Sequence, residues 1–113
     1  MNSYYKGLIT EYISIIILFF KGYRILEKRY KTRYGEIDIL TKKGKSIIAI
    51  EIKARHNGEL TTEYVSKKQI ERIKNSLNFF ISKNEKYIDF NINIEIIVFT
   101  SYFKFKHFKN LEL

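Results

Sequence analysis

The sequence predicts an α/β domain of order αβββαβ, with a β-like tail and helices carried on its sheet. Three observations predict it. Apolar residues recur at helical spacing in two segments, one closing at Phe20 and one over Lys67–Lys83. Glu36–Leu40, Ile48–Lys53 and Asn91–Phe99 alternate polar and apolar residues instead, with a period of two. At 113 residues the chain is long enough for one hydrophobic core but not for two, so residues 1–113 read as a single domain.

The first element centres on Tyr12–Phe20, with Ile15, Ile16, Ile17, Leu18, Phe19 and Phe20 in a row. Glu11 and Lys21 bracket this run, which is far short of the ~20 apolar residues needed to span a bilayer. No small-residue cleavage site follows it, so neither a membrane span nor a signal peptide is expected. The reading is a mostly buried helix. Lys6, Thr10, Ser14 and Lys21 fall on one line at helical spacing and are expected to form its water-facing stripe. Gly22 is expected to cap its C-terminus.

A first strand is expected over Tyr23–Arg29, and Thr41–Ser46, which contains Gly44, should link the next two strands as a hairpin loop. Arg55–Thr62 has no periodicity and a central Gly58, which reads as a mobile loop. In the second helix Ile70, Ile73, Leu77 and Phe80 form the stripe to be buried, and Ser66 with Gln69 matches a capping box. The last strand places Ile92, Ile94, Ile96 and Val98 on one side. From Ser101 the tail mixes aromatic residues with lysines, as an edge strand does.

Composition excludes several chemistries. With no cysteine there is no disulfide framework, no thiolate metal site and no thiol nucleophile. His56 and His107 alone do not make a zinc site. Any metal must be held mainly by oxygen, which favours Mg²⁺ or Mn²⁺. Lys and Arg number 21 against 12 acidic residues, a net charge of +9 that suits a phosphate-rich partner. Drift toward an AT-rich genome also enriches Lys, Ile and Asn, so the charge by itself leaves both readings open.

The hairpin carries the chemistry. A turn centred near Gly44 and Lys45 sets Asp38 opposite Glu51, and Glu36 opposite Lys53. Facing carboxylates repel unless a cation lies between them. Two carboxylates with an intervening carbonyl can hold Mg²⁺, and an ammonium group beside them can orient water for attack on phosphorus. The same residues would also serve as the solvated face of a half-exposed sheet, with Glu36 and Lys53 as a cross-strand ion pair. Apolar residues on both faces of the third strand point to a central, covered strand, where charge needs a reason.

These blocks carry a resemblance. Gly35-Glu36-Ile37-Asp38-Ile39-Leu40, Glu51-Ile52-Lys53-Ala54-Arg55 and Lys67-Lys68-Gln69 with Arg72-Ile73 resemble the YraN-like family of uncharacterised small bacterial proteins. That family lies within the PD-(D/E)XK nuclease superfamily. Gly7 with Glu11, and Gly22-Tyr23-Arg24-Ile25-Leu26, match two further parts of its pattern, so the likeness runs from about Gly7 to Asn110. It implies a restriction endonuclease-like core with a mixed central sheet flanked by helices. It also implies Asp38 and Glu51 as metal ligands, Lys53 as the catalytic lysine, Glu11 as an auxiliary acid and Gln69 as a polar group at the site. Two departures stand out: Asn93-Ile94-Glu95 replaces the family's Arg-Phe-Asp, and Ala54 replaces a threonine.

Glu11 could equally be a solvated acid at the helix edge, and Gln69 could serve only the cap. Arg55, Lys67, Lys68 and Arg72 lie just beyond the expected site as phosphate contacts, and His56 is placed with them. The expectation is therefore an endonuclease that binds nucleic acid, DNA in preference to RNA, and hydrolyses phosphodiester bonds with Mg²⁺ or Mn²⁺. A cytoplasmic location, no membrane partner and a homodimer as one assembly complete it. The alternative is a non-catalytic nucleic-acid-binding or scaffold protein on the same fold.

Overall fold

The computed structural model describes residues 3–109 and residue 111, with side chains described from Gly7 onward. Helix α1 (Ser3–Phe20) leads into strands β1 (Arg24–Thr32), β2 (Gly35–Lys43) and β3 (Ser46–Ala54). Helix α2 (Lys67–Lys83) then connects β3 to β4 (Asn91–Ser101), and β5 (Lys104–Phe108) closes the order. One five-stranded sheet results, ordered β1-β2-β3-β4-β5. Neighbours are antiparallel except β3 and β4, which run parallel across the α2 connection. This is the mixed sheet of a restriction endonuclease-like core, and β5 is the edge strand expected of the tail.

The helices cover opposite faces. On one side Ile73, Leu77, Phe80 and Ile81 of α2 pack with Leu40, Ile47, Ala49 and Ile94 of the sheet. On the other, Leu18 of α1 packs with Ile39, Ile48, Ile50, Ile97 and Phe99. Strand β3 therefore sends Ile47 and Ala49 one way and Ile48 and Ile50 the other. This is the covered central strand that its apolar run implied.

Helix α2 spans the residues its periodicity marked. Ser66 caps it, its Oγ accepting from the Gln69 N–H at 3.1 Å. Helix α1 corrects the expected orientation. Thr10 and Ser14 are buried, whereas Tyr12, Ile16, Phe19 and Phe20 are exposed, so the helix is neither mostly buried nor turned as expected. The reason is local: the Ser14 hydroxyl donates to the Thr10 carbonyl at 2.7 Å, and Thr10 donates to the Gly7 carbonyl at 3.1 Å. Hydroxyls satisfied by their own helix need no water. Lys21 is exposed as expected, and the Lys6 side chain lies outside the described residues.

Gly22 does end α1. It takes φ +89°, while the Tyr23 N–H reaches back to the Leu18 carbonyl and the Gly22 N–H to that of Phe19. This is a Schellman motif, and Tyr23 and Leu18 join the same apolar cluster. The β2–β3 hairpin is tighter than expected, because its strands run on to Lys43 and Ser46 and leave Gly44 and Lys45 as the whole turn. Gly44 supplies the positive φ needed at the first turn position. Strand β1 begins after Tyr23 and continues past Arg29 to Thr32. The expected mobile loop is partly fixed: the Tyr64 hydroxyl accepts from the Glu59 N–H, and Thr62–Tyr64 forms a 3₁₀ turn.

A buried polar cluster ties the tail to the rest. Glu95 on β4 accepts from the Tyr23 hydroxyl at 2.7 Å and pairs with His107 Nε2 of β5 at 2.8 Å. The Lys21 ammonium donates to His107 Nδ1 at 2.9 Å, so Nε2 carries the hydrogen given to Glu95. Burial opposes ionisation of Glu95, but the bonds from His107 and Tyr23 more than offset it and hold the carboxyl below its usual range.

Two glycine substitutions should separate in sign. Gly22→Ala places a Cβ in the left-handed region and should lower unfolding stability in urea by about 1–2 kcal/mol. Gly7→Ala, in the helix interior with nothing near its new methyl group, should raise it by about 0.5–1 kcal/mol.

Candidate active site

The site begins where the β2–β3 ladder stops. Pairing runs from Lys43↔Ser46 to Ile39↔Ile50 in the register the hairpin turn implied. At the next step the strands part. Asp38 Oδ2 accepts from the Ile52 N–H at 2.8 Å, so a side chain takes over a backbone donor. Strand alternation also breaks here: Ile37 packs on the α2 side and Ile39 on the α1 side, although residues two apart should share a face. Across β1, Arg29 adopts a left-handed φ of 51° at the same level.

A cavity of about 400 Å³ opens at this break. Glu36, Asp38 and Glu51 line it from the sheet, and Ser66, Lys68, Gln69 and Arg72 from the start of α2. The helix N-terminus therefore faces the carboxylates, and its unpaired N–H groups favour negative charge there.

Glu51 is only 6% exposed, so it is not part of a solvated face. Burial, the Asp38 charge and a hydrogen bond between the two carboxyl groups push its pKa up to about 9, with Lys53 pulling the other way. At neutral pH the pair therefore holds a proton. Lys53 stands one pleat beyond Glu51, half-buried and outside the cavity lining.

Of the remaining expected site residues, Gln69 both completes the cap through its N–H and lines the cavity. Lys68 and Arg72 form the basic part of the wall. Arg55 sits outside it, its guanidinium 5.0 Å over the Tyr64 ring, and His56 and Lys67 are exposed nearby in sequence. Glu11 is engaged elsewhere: its Oε2 pairs with Arg29 Nε at 3.1 Å, and it does not line the cavity. Sequence reasoning missed Glu36 and Ser66 as wall residues. The signal for both was present, since one is two residues from Asp38 and the other caps α2.

The described residues hold no group of three or more acidic, His or Cys side chains arranged for a metal, so the donor set is the Asp38–Glu51 pair. The pair fits a hard cation on its chemistry. Two carboxylates held against each other, one of them buried, have taken up a proton where a small positive charge relieves their repulsion.

Comparison with known proteins gives one consistent result. A family model described as "Uncharacterised protein family UPF0102" matches residues 10–99. A UPF0102 protein of Rhizobium etli (strain CIAT 652) is 34% identical over 95 residues, covering 84% of this chain and 78% of that protein. One from Agrobacterium fabrum (strain C58) is 35% identical over 92 residues, covering 81% and 75%. One from Rhizobium leguminosarum bv. trifolii is 38% identical over 78 residues, covering 69% of this chain and 64% of its own length. The chain thus spans slightly under two thirds of that relative. No helix among the described residues is long and apolar enough to cross a membrane.

The raised Glu51 pKa sets a pH dependence. The unfolded carboxyl ionises near 4.5 while the folded one keeps its proton to about 9. Its stabilising contribution is therefore complete below 4.5 and is lost as pH rises through 9. In chelator, Glu51→Gln should flatten the melting profile between pH 5 and 9. At pH 8 it should melt several degrees above the wild type, at about 4 °C or more per kcal/mol. Parallel profiles for the two proteins would refute the shared proton.

Proposed function

The chain belongs to the uncharacterised protein family UPF0102, and we propose that the cavity at its β2–β3 break is a metal-dependent nuclease site. The observation that carries the reading is the abutting Asp38 and Glu51 pair at the point where a ladder bond is given up. A sheet that only needed a solvated face would not set a buried carboxylate against a second one.

In this reading Asp38 and Glu51 hold Mg²⁺ or Mn²⁺. When bound, such a cation supplies Lewis acidity toward a phosphoryl oxygen and lowers the pKa of water. The Lys53 ammonium group orients the attacking water and stabilises the negative charge that develops on phosphorus-bound oxygen. Gln69 offers an amide to the same space, and the α2 N-terminus adds its partial positive charge. Lys68 and Arg72 bind the phosphate flanking the scissile bond, with Arg55, Lys67 and His56 farther along the strand's path. The net charge of +9 serves the approach of a polyanion.

One observation favours a second reading. Glu11, the first-helix carboxylate that the superfamily resemblance brings to the site, is held by Arg29 and does not join Glu36, Asp38 and Glu51 in the cavity. A protein that binds nucleic acid without cutting it would tolerate that.

The two readings separate in one assay. Purified protein is incubated with branched, single-stranded and duplex DNA and with RNA, with Mg²⁺, Mn²⁺ or chelator. The nuclease reading expects divalent-dependent cleavage by the wild type, reduced on the order of 10²-fold or more by Glu51→Ala and by Lys53→Ala. Equal cleavage by all three proteins identifies a contaminant. Salt-sensitive binding with no cleavage selects the second reading.

A further inference from the structure

The flank of α2 beyond the carboxylates holds a second cavity, of about 510 Å³, that the proposed chemistry does not use. Its walls come from the β1–β2 turn, with Arg33 and Tyr34, and from the second half of α2, with Asn75, Asn78, Phe79 and Lys83. We infer that this cavity is a nucleobase subsite, which stacks an unpaired base of the strand bound at the carboxylates. The inference rests on the nucleic-acid reading of that first site and deepens it by naming a single-stranded segment as part of the ligand.

The chemistry of the lining selects a base. Tyr34 and Phe79 form an aromatic corner, ring centroids 6.3 Å apart and planes at 62°, with Tyr34 36% exposed. Cations sit over both rings: the Arg33 guanidinium 5.0 Å from Tyr34 and the Lys83 ammonium 5.5 Å from Phe79. Asn75 and Asn78 also line the cavity, and an amide can both give and accept hydrogen bonds at a base edge. An aromatic platform with flanking cations and free-edge amides is how single strands are held. A lipid chain would require a continuous apolar lining, and a second copy of a chain carrying +9 would bring like charge to these cations.

Continuity with the first cavity is built into the helix. Lys68, Arg72, Asn75, Phe79 and Lys83 fall at steps of three and four residues, which is one stripe along α2. Lys68 and Arg72 belong to the first cavity and the others to the second. Gly35 lies at the junction, following Tyr34 in the chain and lining the first cavity, and a Cβ there would stand 3.4 Å from Arg72 Cβ. The stripe's two halves are centred about nine residues apart, or ~13 to 14 Å at the helical rise. That is about four steps of a stacked strand.

The test is binding, in chelator, of fluorescein-labelled 12-nucleotide strands to the full chain, read by anisotropy. The strands are oligo-dT, oligo-rU and an abasic DNA of the same phosphate count. The wild type should bind a base-bearing strand about fivefold or more tighter than the abasic one, and the tighter of dT and rU names the sugar. Tyr34→Ala and Phe79→Leu should erase that preference while leaving abasic affinity unchanged, and Tyr34→Phe should keep it. Equal wild-type affinity for base-bearing and abasic strands overturns the subsite. So does an equal loss on both strands in variants whose circular dichroism and melting remain native. Cleavage in Mg²⁺, measured on the same preparations, keeps the two ideas apart. Cutting without a base preference sinks the subsite alone, whereas a base preference without cutting sinks the hydrolytic reading alone.

Discussion

The structure depends on holding two carboxylates together at a point where a sheet comes apart. The β2–β3 hairpin is regular from its two-residue turn to Ile39↔Ile50, and everything up to that pair is ordinary antiparallel bonding. Beyond it, Asp38 turns its carboxylate to the Ile52 N–H and faces Glu51. A contact that repels in its ionised form persists only if the surrounding fold over-determines it. Here apolar clusters on both faces of β3 and a bonded neighbour on either side fix the strand that carries Glu51.

Glu51 and Glu95 show how environment divides one residue type between two roles. Both are buried, and they sit on adjacent parallel strands one register step apart, since Ile50 pairs with Glu95 and Glu51 with Ile96. They consequently face opposite sides of the sheet. Glu95 meets two donors, Tyr23 and His107, and stays ionised despite its burial. Glu51 meets another acid and keeps its proton. The first is satisfied within the protein and binds the α1–β1 turn, β4 and β5 together. The second relieves its repulsion from Asp38 by keeping a proton, the kind of perturbation that clusters at functional sites.

Much of this was legible in the chain. The boundaries of α2, the order of helices and strands along the chain and the hairpin register as far as Ile39↔Ile50 follow from periodicity and a glycine turn, all of them short-range signals. The ladder stops, however, before the expected Glu36–Lys53 pair. The orientation of α1 was not, because Thr10 and Ser14 look like solvent-facing residues until their hydroxyls are seen bonded to carbonyls three and four residues back. The Glu95–His107 pair was hidden because it joins two strands across a tight β4–β5 connection. Likewise Glu11 has a partner, Arg29, set by how α1 lies on β1. Local pattern carries elements and register, whereas a charge's partner is a property of the packed whole.

The proton on the carboxylate pair bears on how a polyanion could come near an acidic cavity at all. Two ionised acids, with Glu36 beside them, would repel a phosphate before any contact formed. With one proton retained up to about pH 9, the pair presents a single negative charge. Lys68 and Arg72 on the wall then balance that charge together with Glu36, so the lining carries no net negative charge. A cation entering the pair must displace the proton, so its affinity rises with pH and its binding releases H⁺ to solvent. In the proposed metal-dependent reading, proton and cation would compete for the same carboxyl oxygens, in a cavity that also faces a helix N-terminus favouring an anion.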